Sequence, residues 1–394
     1  MRKLIALYAM QISSSLKHDV WHDLTESGSY EWWYFDALDE SQDCSFVAIW
    51  YSGFPFSPYY LQQYFKAQRS GRSRSANPLE HVAFSFNFYE HGREVINFIK
   101  EGDAPLFSAS RNEPYARFER NEFRFDESRQ TYVLSLDFEM PSRHKKVRAK
   151  LYFKVRPLQG NKQLSRYSSS MHIHSWVLAS PSNDVSGEIE IHDGDQWRTL
   201  RFNGRGYHDH NYGRAPMNAD IKHWYWGRAH SNDLDLVYYI TTYKHAQQEP
   251  FSFLLLTQGD RVINVANNLK TLEHEQGKNL FSPSYGKRFS LINSRIVFHI
   301  EHLKALDAGP FYLRFHSKFS LMREDGSSVE MTGISESLHP QSLNSSVVRH
   351  LIKSKIWREG KRSMMYTLYN FFAQLVDFGT KKIGPVVAQT IAEK

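Results

Sequence analysis

The chain has 394 residues, a length that accommodates two or three domains, and Phe, Trp and Tyr make up 15% of it. Its net charge of +7 is concentrated in residues 343–394, which hold nine Lys/Arg and three Asp/Glu, so the rest of the chain is nearly neutral. This distribution excludes a generally basic nucleic-acid-binding surface, and the single cysteine, Cys44, excludes an intrachain disulfide framework.

The N-terminus combines two basic residues with a short apolar stretch, residues 4–12, that is interrupted by Gln11. A secretory signal peptide needs a cleaner apolar region and a cleavage site with small residues. A membrane-spanning helix needs about 20 apolar residues in a row, and no stretch of the chain approaches this length. We therefore predict an ordinary first segment and a cytoplasmic protein, with membrane association left open.

Between residues 30 and 319 the chain is built from short stretches in which apolar and polar residues alternate, such as 82–88, 132–138 and 147–155. Alternation with a period of two is typical of β-strands with one buried face, and aromatic side chains favour such strands. Many short strands at this spacing indicate β-sandwiches or barrels rather than βαβ units. We therefore predict an all-β fold.

One pattern occurs twice: an aromatic strand, a polar hairpin and an apolar strand follow one another at residues 32–51 and again at 224–240. Such internal similarity indicates two related β domains in tandem. The predicted organisation is a first β domain at residues 1–214, a second at 215–345 and a C-terminal segment at 346–394.

The C-terminal segment, residues 346–394, has apolar residues at three- and four-residue spacing with Lys and Arg between them, which predicts basic amphipathic helices. Two interpretations are open. The helices pack on a β domain and close its mouth, or they make peripheral contact with an anionic membrane surface.

The densest group of polar and titratable residues is the glycine-flanked stretch 204–213. Successive side chains of a strand point to opposite faces, so Tyr207 and Asp209 are predicted on one face and His208 and His210 on the other. Asp209 has a second interpretation, as a turn residue that caps neighbouring amides.

A second group lies at residues 171–176, where His172, His174 and Trp176 would share one face of a strand. Histidines two residues apart can chelate a metal ion, so the pairs 172/174 and 208/210 leave a metal site open. A chain with 19 histidines contains such pairs by chance, and we predict no metal. His174 is also compatible with a hydrogen-bonded core histidine.

Five motifs in order make the chain resemble the carotenoid 1,2-hydratases (hydroxyneurosporene synthases), over about residues 28–320. The resemblance implies two tandem lipocalin-like β-barrel or sandwich domains with an apolar cavity, followed by C-terminal amphipathic helices. The motifs are Tyr-Glu-Trp-Trp-Tyr-Phe-Asp-Ala at 30–37, Phe-Ser-Pro-Tyr-Tyr at 56–60, Asn-Pro-Leu-Glu-His at 77–81, Gly-Tyr-His-Asp-His-Asn-Tyr-Gly at 206–213 and Trp-Tyr-Trp-Gly-Arg at 224–228.

The resemblance also implies a function: a cofactor-independent hydratase or cyclase that acts on a carbon–carbon double bond of an apolar isoprenoid or polyene. A Tyr-x-Asp pair and a His-x-Trp pair are thought to line the reacting end of the pocket in these hydratases. The matching positions here are Tyr207, Asp209, His174 and Trp176.

These residue types suit the chemistry, because hydration of a trisubstituted alkene needs an acid and a stabilised cation. A carboxylic acid buried among rings stays protonated near neutral pH, which predicts Asp209 as the acid, supported by Tyr207. The ring of Trp176 would flank the cation, and His174 would orient water and remove its proton.

His208 and His210 are departures from the hydratase pattern, since imidazoles beside Asp209 would favour its carboxylate form. Asp209 and Tyr207 would then bind a polar end of the substrate, and the protein would be a pericyclase that folds its substrate. The alternative from another class is a lipid or isoprenoid carrier without chemistry.

The remaining predicted site residues are aromatic or polar side chains near these motifs. Arg228 is expected to be a buried partner of a carboxylate such as Glu31 or Asp36. The predicted substrate-binding residues are Trp33, Tyr34, Trp224, Trp226, His208 and Asn211.

Overall fold

The fold comes from a computed structural model, and the predicted helices beyond residue 370, as well as His172, lie outside the part of the chain that it describes. The described residues are 11–370, without 71–75, 142–143, 160–173, 245–249, 268, 279–281, 295, 323–325, 362–363 and 365.

The described residues form two sheets whose strand pairs are antiparallel except for β1 with β11 and β22 with β5, which confirms the prediction of an all-β fold. The first sheet contains β1 Gln11–Ser13, β2 Tyr30–Asp39, β3 Cys44–Ser52, β4 Val82–Glu90, β5 Arg93–Gly102, β6 Phe107–Ala109, β7 Tyr115–Phe118, β8 Asn121–Asp126, β9 Thr131–Met140, β10 Lys145–Val155, β11 Ser175–His192, β12 Trp197–Gly213 and β22 Trp357–Arg358. The second contains β13 Ile221–His230, β14 Leu234–Tyr243, β15 Phe251–Gln258, β16 Arg261–Asn267, β17 Lys270–Gly277, β18 Tyr285–Ile292, β19 Val297–Ala308, β20 Tyr312–Met322 and β21 Ser328–Leu338.

Neighbours in sequence are mostly neighbours in the sheets. The first sheet runs β22-β5-β4-β3-β2-β12-β11-β10-β9-β8-β7-β6, with β1 parallel to β11, and the second runs β16-β15-β14-β13-β21-β20-β19-β18-β17. Two pairings join strands that are distant in sequence: β12 of the long hairpin β11–β12 pairs with β2, and β21 pairs with β13. In each sheet a late strand therefore pairs with the first strand of an early hairpin. The division into domains at residues 214 and 345 remains a prediction, although the sheets change between Gly213 and Ile221.

The described helices are few and short. Ser57 caps α1, Pro58–Arg69, by accepting hydrogen bonds from the amides of Tyr59 and Tyr60, and Pro58 occupies the first turn. The second helix, α2, spans Ser346–Ile352. Within the described ranges, no helix combines the length and apolarity that crossing a bilayer requires. Single turns of 3₁₀ helix lie at Leu16–His18, Pro78–His81, Ala104–Leu106, Met217–Ala219 and Pro340–Asn344.

Each sheet curls around its own core. In the first sheet, Phe123 of β8 packs against Trp33 and Phe35 of β2, and Phe138 of β9 stacks on Phe98 of β5 with ring centroids 4.5 Å apart. The interior of the first sheet is therefore filled by side chains. The space for a cavity lies instead between the two sheets, where their surfaces face each other.

The second sheet repeats this arrangement with Tyr238 of β14 against Phe298 and Phe319. A third cluster of buried side chains lies between the sheets and contains Trp32 and Trp226, one from each sheet. Burial of aromatic surface between the sheets is the main force that holds them together, since each ring removes a large apolar area from water.

The described part of the C-terminal segment folds back onto the first sheet. Arg358 of β22 donates a hydrogen bond of 2.8 Å to buried Glu101 of β5, and β22 pairs with β5 in parallel. Glu101 also accepts from Ser57 at 2.8 Å and lies 2.6 Å from the His81 ring. These contacts attach Arg358 to β5, and Leu351, Ile352 and Ile356 of the same segment line a cavity between the sheets. The closing of a domain mouth by this segment remains a prediction.

Candidate active site

Two connected cavities lie between the sheets. The outer cavity, of about 360 Å³, is lined mainly by apolar and aromatic side chains, among them Phe54, Phe311 and Leu351. The inner chamber, of about 30 Å³, is lined by Trp32, Tyr34, Asp209, Asn211, Trp224, Trp226, Tyr239 and Glu336. Trp32, Tyr34, Trp224 and Glu336 line both, so the two cavities adjoin each other.

Strand pairing explains why these residues meet. In the register of β12 with β2, Asp209 lies opposite Tyr34 and Asn211 opposite Trp32, and paired residues share a face of the sheet. In the second sheet Trp226 lies opposite Tyr239 of β14 and Glu336 of β21. Three strands of the second sheet therefore complete a wall that begins on β2 and β12.

Asp209 is the polar centre of this chamber and is only 4% exposed. Its Oδ2 accepts hydrogen bonds from the Tyr207 hydroxyl at 2.7 Å and from Trp176 Nε1 at 2.8 Å. Its Oδ1 accepts one from Asn211 Nδ2 at 2.8 Å. The irregular pairing of β11 between Val177 and Asn183 follows directly after Trp176, as β-bulges often do beside functional sites. The structure thus brings the predicted residues Tyr207, Trp176 and Asn211 to Asp209.

Asp209 has no ion-pair partner among the described residues, whereas the other buried carboxylates nearby are paired. Asp36 pairs with Arg228, as predicted for that arginine, and Glu336 pairs with Arg314 at 3.1 Å. Burial raises the pKa of Asp209 to about 7, and the charges of Glu336 and Asp36 act in the same direction. At neutral pH a large share of this side chain is therefore a neutral carboxylic acid.

His174 lies behind the aromatic wall rather than at either cavity. Its Nδ1 is 2.8 Å from the Tyr30 hydroxyl, and its Nε2 is 3.3 Å from the Tyr239 hydroxyl. The ring stacks on Trp224 with centroids 6.1 Å apart. Burial lowers the pKa of His174 to about 3, so the ring is neutral at pH 7. Its two nitrogens form hydrogen bonds with the hydroxyls of Tyr30 and Tyr239.

Trp33 and His208 do not face the chamber, which corrects their prediction as substrate-binding residues. Each is adjacent in sequence to a residue that does, and successive side chains of a strand point to opposite faces. Trp33 belongs to the core of the first sheet and stacks on His210 at 4.5 Å. His208 stacks on Phe35 at 3.8 Å in the same core. The other predicted binding residues, Tyr34, Trp224, Trp226 and Asn211, line the chamber.

A buried cluster of imidazoles and carboxylates lies behind Asp209, on the opposite face of β12. His210 Nε2 is 2.8 Å from Glu31 and its Nδ1 is 3.3 Å from Asp19, while His208 Nε2 is 3.0 Å from Asp19. Burial alone would lower the pKa of His210, but its bonds to Asp19 and Glu31 raise it to about 9. His22 completes the cluster 2.7 Å from Glu31.

This cluster explains why His208 and His210 do not pair with Asp209. Their partners are Asp19 and Glu31, on the opposite face of β12. The cluster also bears on the open metal site. His22, Glu31 and His210 have possible ligand atoms within 4.8 Å of one another, and in this structure hydrogen bonds to Glu31 Oε1 join the three side chains.

Three residues that line the chamber were not among the predicted site residues: Trp32, Tyr239 and Glu336. Trp32 was detectable, because alternation along β2 places Trp32 and Tyr34 on one face and Trp33 on the other. Tyr239 and Glu336 come from β14 and β21, and only the pairing of these strands with β13 brings them to the chamber.

The fold defines the class of protein first. A solved structure of CghA matches with a TM-score of 0.58 and 12% identity, over 84% of this chain and 97% of that one. Kievitone hydratase from Nectria haematococca matches with a TM-score of 0.52 and 9% identity, over 86% and 98%. At these identities the likeness concerns the fold alone, and it confirms the lipocalin-like architecture.

Sequence comparison then gives the family. Residues 48–365 match the family described as carotenoid hydratase CrtC. Hydroxyneurosporene dehydrogenase of Chlorobaculum tepidum is 41% identical over 92% of this chain and 96% of its own length. Acyclic carotenoid 1,2-hydratase of Thiocapsa roseopersicina is 27% identical over 55% of this chain and 49% of its own length. The chain belongs to the CrtC carotenoid hydratase family, as the resemblance predicted.

The cluster behind Asp209 makes a testable contribution to stability. We expect Asp19→Asn to lower the free energy of unfolding at pH 7 by about 3–5 kcal/mol, because it leaves protonated His210 with one carboxylate less in a buried site. Denaturant unfolding measures this value. Asp43→Asn removes an exposed carboxylate that pairs with exposed His91, and it should change stability by less than about 0.5 kcal/mol. A loss no larger for Asp19→Asn than for this control would contradict the assigned charges.

Proposed function

We propose that the protein adds water to a carbon–carbon double bond at one end of an apolar polyene, with Asp209 as the acid. The proposal depends on one observation: a buried carboxyl that has no cationic partner among the described residues lines a chamber walled by aromatic rings. Membership of the CrtC family and the carotenoid hydratases among its relatives support hydration as the reaction and a polyene as the substrate class.

The acid proton would leave from Oδ1 of Asp209. Oδ2 already accepts two hydrogen bonds, from Tyr207 and Trp176, whereas Oδ1 accepts only the one from Asn211. These donors hold the carboxyl in position and stabilise the carboxylate that remains after proton transfer. A carboxylic acid with a pKa near the operating pH both carries its proton and releases it readily.

Protonation of the alkene leaves a tertiary cation, which the walls of the chamber are suited to stabilise. Trp32, Trp224 and Trp226 line the chamber in which the cation would form. Aromatic faces carry negative electrostatic potential and attract cations by about 1–2 kcal/mol or more when water is excluded. Trp176 contributes mainly as a hydrogen-bond donor to Asp209, and Tyr207 does the same.

We expect Asp209→Asn to lower turnover of an acyclic carotene by at least about 100-fold, because the amide cannot donate a proton of comparable acidity. Binding of the polyene, followed by quenching of tryptophan fluorescence, should change by less than about threefold, because the aromatic walls stay in place. Asp184→Asn, which alters a half-exposed carboxylate on β11, is the matched control. A pericyclase acting by shape would lose little rate in Asp209→Asn, and a carrier would show no turnover even in the unchanged protein.

We also propose that the substrate reaches the outer cavity from an anionic membrane surface. Ile352 of α2 and Tyr369 line the outer cavity. Exposed apolar side chains lie on the same segment: Val347 is 66%, Met364 75% and Leu368 43% exposed. In sequence, residues 343–394 hold nine Lys/Arg and three Asp/Glu, a surplus of positive charge of the kind that anionic headgroups attract.

The double variant Val347→Asp/Met364→Asp tests this surface. We expect it to lower cosedimentation with vesicles of phosphatidylglycerol and phosphatidylcholine by at least about tenfold in partition coefficient, since it removes apolar contacts and adds negative charge. Ile263→Asp, at a 47% exposed position on β16, is the control and should bind as the unchanged protein does. Equal binding by the double variant, or no binding by the unchanged protein, would refute the proposal.

A further inference from the structure

Hydration needs a second group, one that binds the attacking water and takes its proton, and Glu336 lies where such a group is required. It lines both the outer cavity and the inner chamber, on β21 opposite Trp226. Asp209 lines the same chamber from the opposite sheet. A polyene end that reaches Asp209 therefore passes beside Glu336.

The hydrogen bonds of Glu336 leave one of its oxygens for a ligand. Its Oε1 accepts from the Tyr34 hydroxyl at 3.1 Å, the Tyr312 hydroxyl at 2.5 Å and Arg314 Nε at 3.1 Å. Within the described part of the chain, every hydrogen bond to this side chain ends on Oε1. Arg314 and Tyr312 donate to Oε1, and the Tyr34 hydroxyl divides its one proton between Oε1 and Asp36 Oδ2, so Oε2 is left as an acceptor for a ligand.

The inner chamber has room for the water. A cavity needs a volume of roughly 10–15 Å³ to hold one water molecule, and the volume of the chamber is about 30 Å³. His174, the base predicted in the sequence, lines neither cavity and has a tyrosine hydroxyl at each ring nitrogen. Among the described residues, Glu336 lines the chamber and has one oxygen to which no hydrogen bond is donated, whereas both ring nitrogens of His174 have tyrosine partners.

We propose that Glu336 binds the attacking water through Oε2 and accepts its proton, an inference that rests on the proposed hydration by Asp209. The π electrons of the alkene take the proton from Asp209, which becomes a carboxylate, and a tertiary cation forms on the neighbouring carbon. A lone pair of water then forms the C–O bond, and one of the water's protons passes to Glu336. Transfer of a proton from Glu336 to Asp209, directly or through a second water, restores both groups, so the net reaction is alkene plus water to alcohol.

The two carboxyl groups can be separated experimentally by running the reaction in deuterated buffer. Without an effective base for water, the cation returns a proton to Asp209, and the recovered polyene contains deuterium. We expect Glu336→Gln to lower alcohol formation by at least about 100-fold, while deuterium exchange into the recovered substrate continues within about threefold of the unchanged protein. Mass spectrometry of alcohol and recovered polyene measures both rates in the same sample.

The outcomes distinguish this inference from the proposed function. If Asp209→Asn retains exchange and hydration, the proposed function fails, and Glu336 needs no test. If Glu336→Gln hydrates within about threefold of the unchanged protein, or loses exchange and hydration together while still binding polyene, the inference is overturned and the role of Asp209 stands. Glu330→Gln, an exposed position on the same strand, is the matched control.

Arg314 loses its ion-pair partner in Glu336→Gln, so a second variant guards against a failure to fold. Glu336→Asp keeps the charge but withdraws the carboxylate from the water by one methylene. We expect at least about a tenfold loss of hydration with exchange retained. Unchanged hydration in Glu336→Asp would overturn the inference even if Glu336→Gln did not fold.

Discussion

The candidate site depends on the burial of one carboxyl group, that of Asp209, which has no compensating positive charge among the described residues. Burying an ionised carboxylate is so unfavourable that the group takes up a proton instead. The hydrogen bonds from Tyr207 and Trp176 act against this and lower the pKa of Asp209, but burial and the nearby charges of Glu336 and Asp36 raise it further than they lower it, to about 7. In this chamber of aromatic side chains, Asp209 is therefore in large part a neutral carboxylic acid at pH 7.

Strand β12 connects this acid to the stability of the fold, because its two faces have opposite electrostatic character. On one face, Asp209 and Asn211 line the chamber and Tyr207 donates to Asp209, and this face contains no ion pair among the described residues. The opposite face carries His208 and His210, which are tied to carboxylates from the N-terminal segment and from β2. Ion pairs among the described residues thus lie on the core side of the strand, away from Asp209.

The sequence was sufficient for the class of fold and for the centre of the site. Period-two alternation predicted the strands, and the alternation within residues 207–210 correctly separated Tyr207 and Asp209 from the two histidines. The same rule, applied to β2, would have selected Trp32 in place of Trp33. Glu336 and Tyr239 could not be predicted, since neither belongs to a recognisable motif and both reach the chamber only through strand pairing in the second sheet.

The protonation of Asp209 is the central claim, and carbon-13 NMR of aspartate side-chain carboxyls tests it most directly. The signal missing from the spectrum of Asp209→Asn assigns the residue, and a titration from pH 4 to 9 follows its ionisation. We predict a neutral carboxyl at pH 5 that ionises near pH 7, because burial raises its pKa to about 7. A carboxylate that is already ionised at pH 5 would contradict the account.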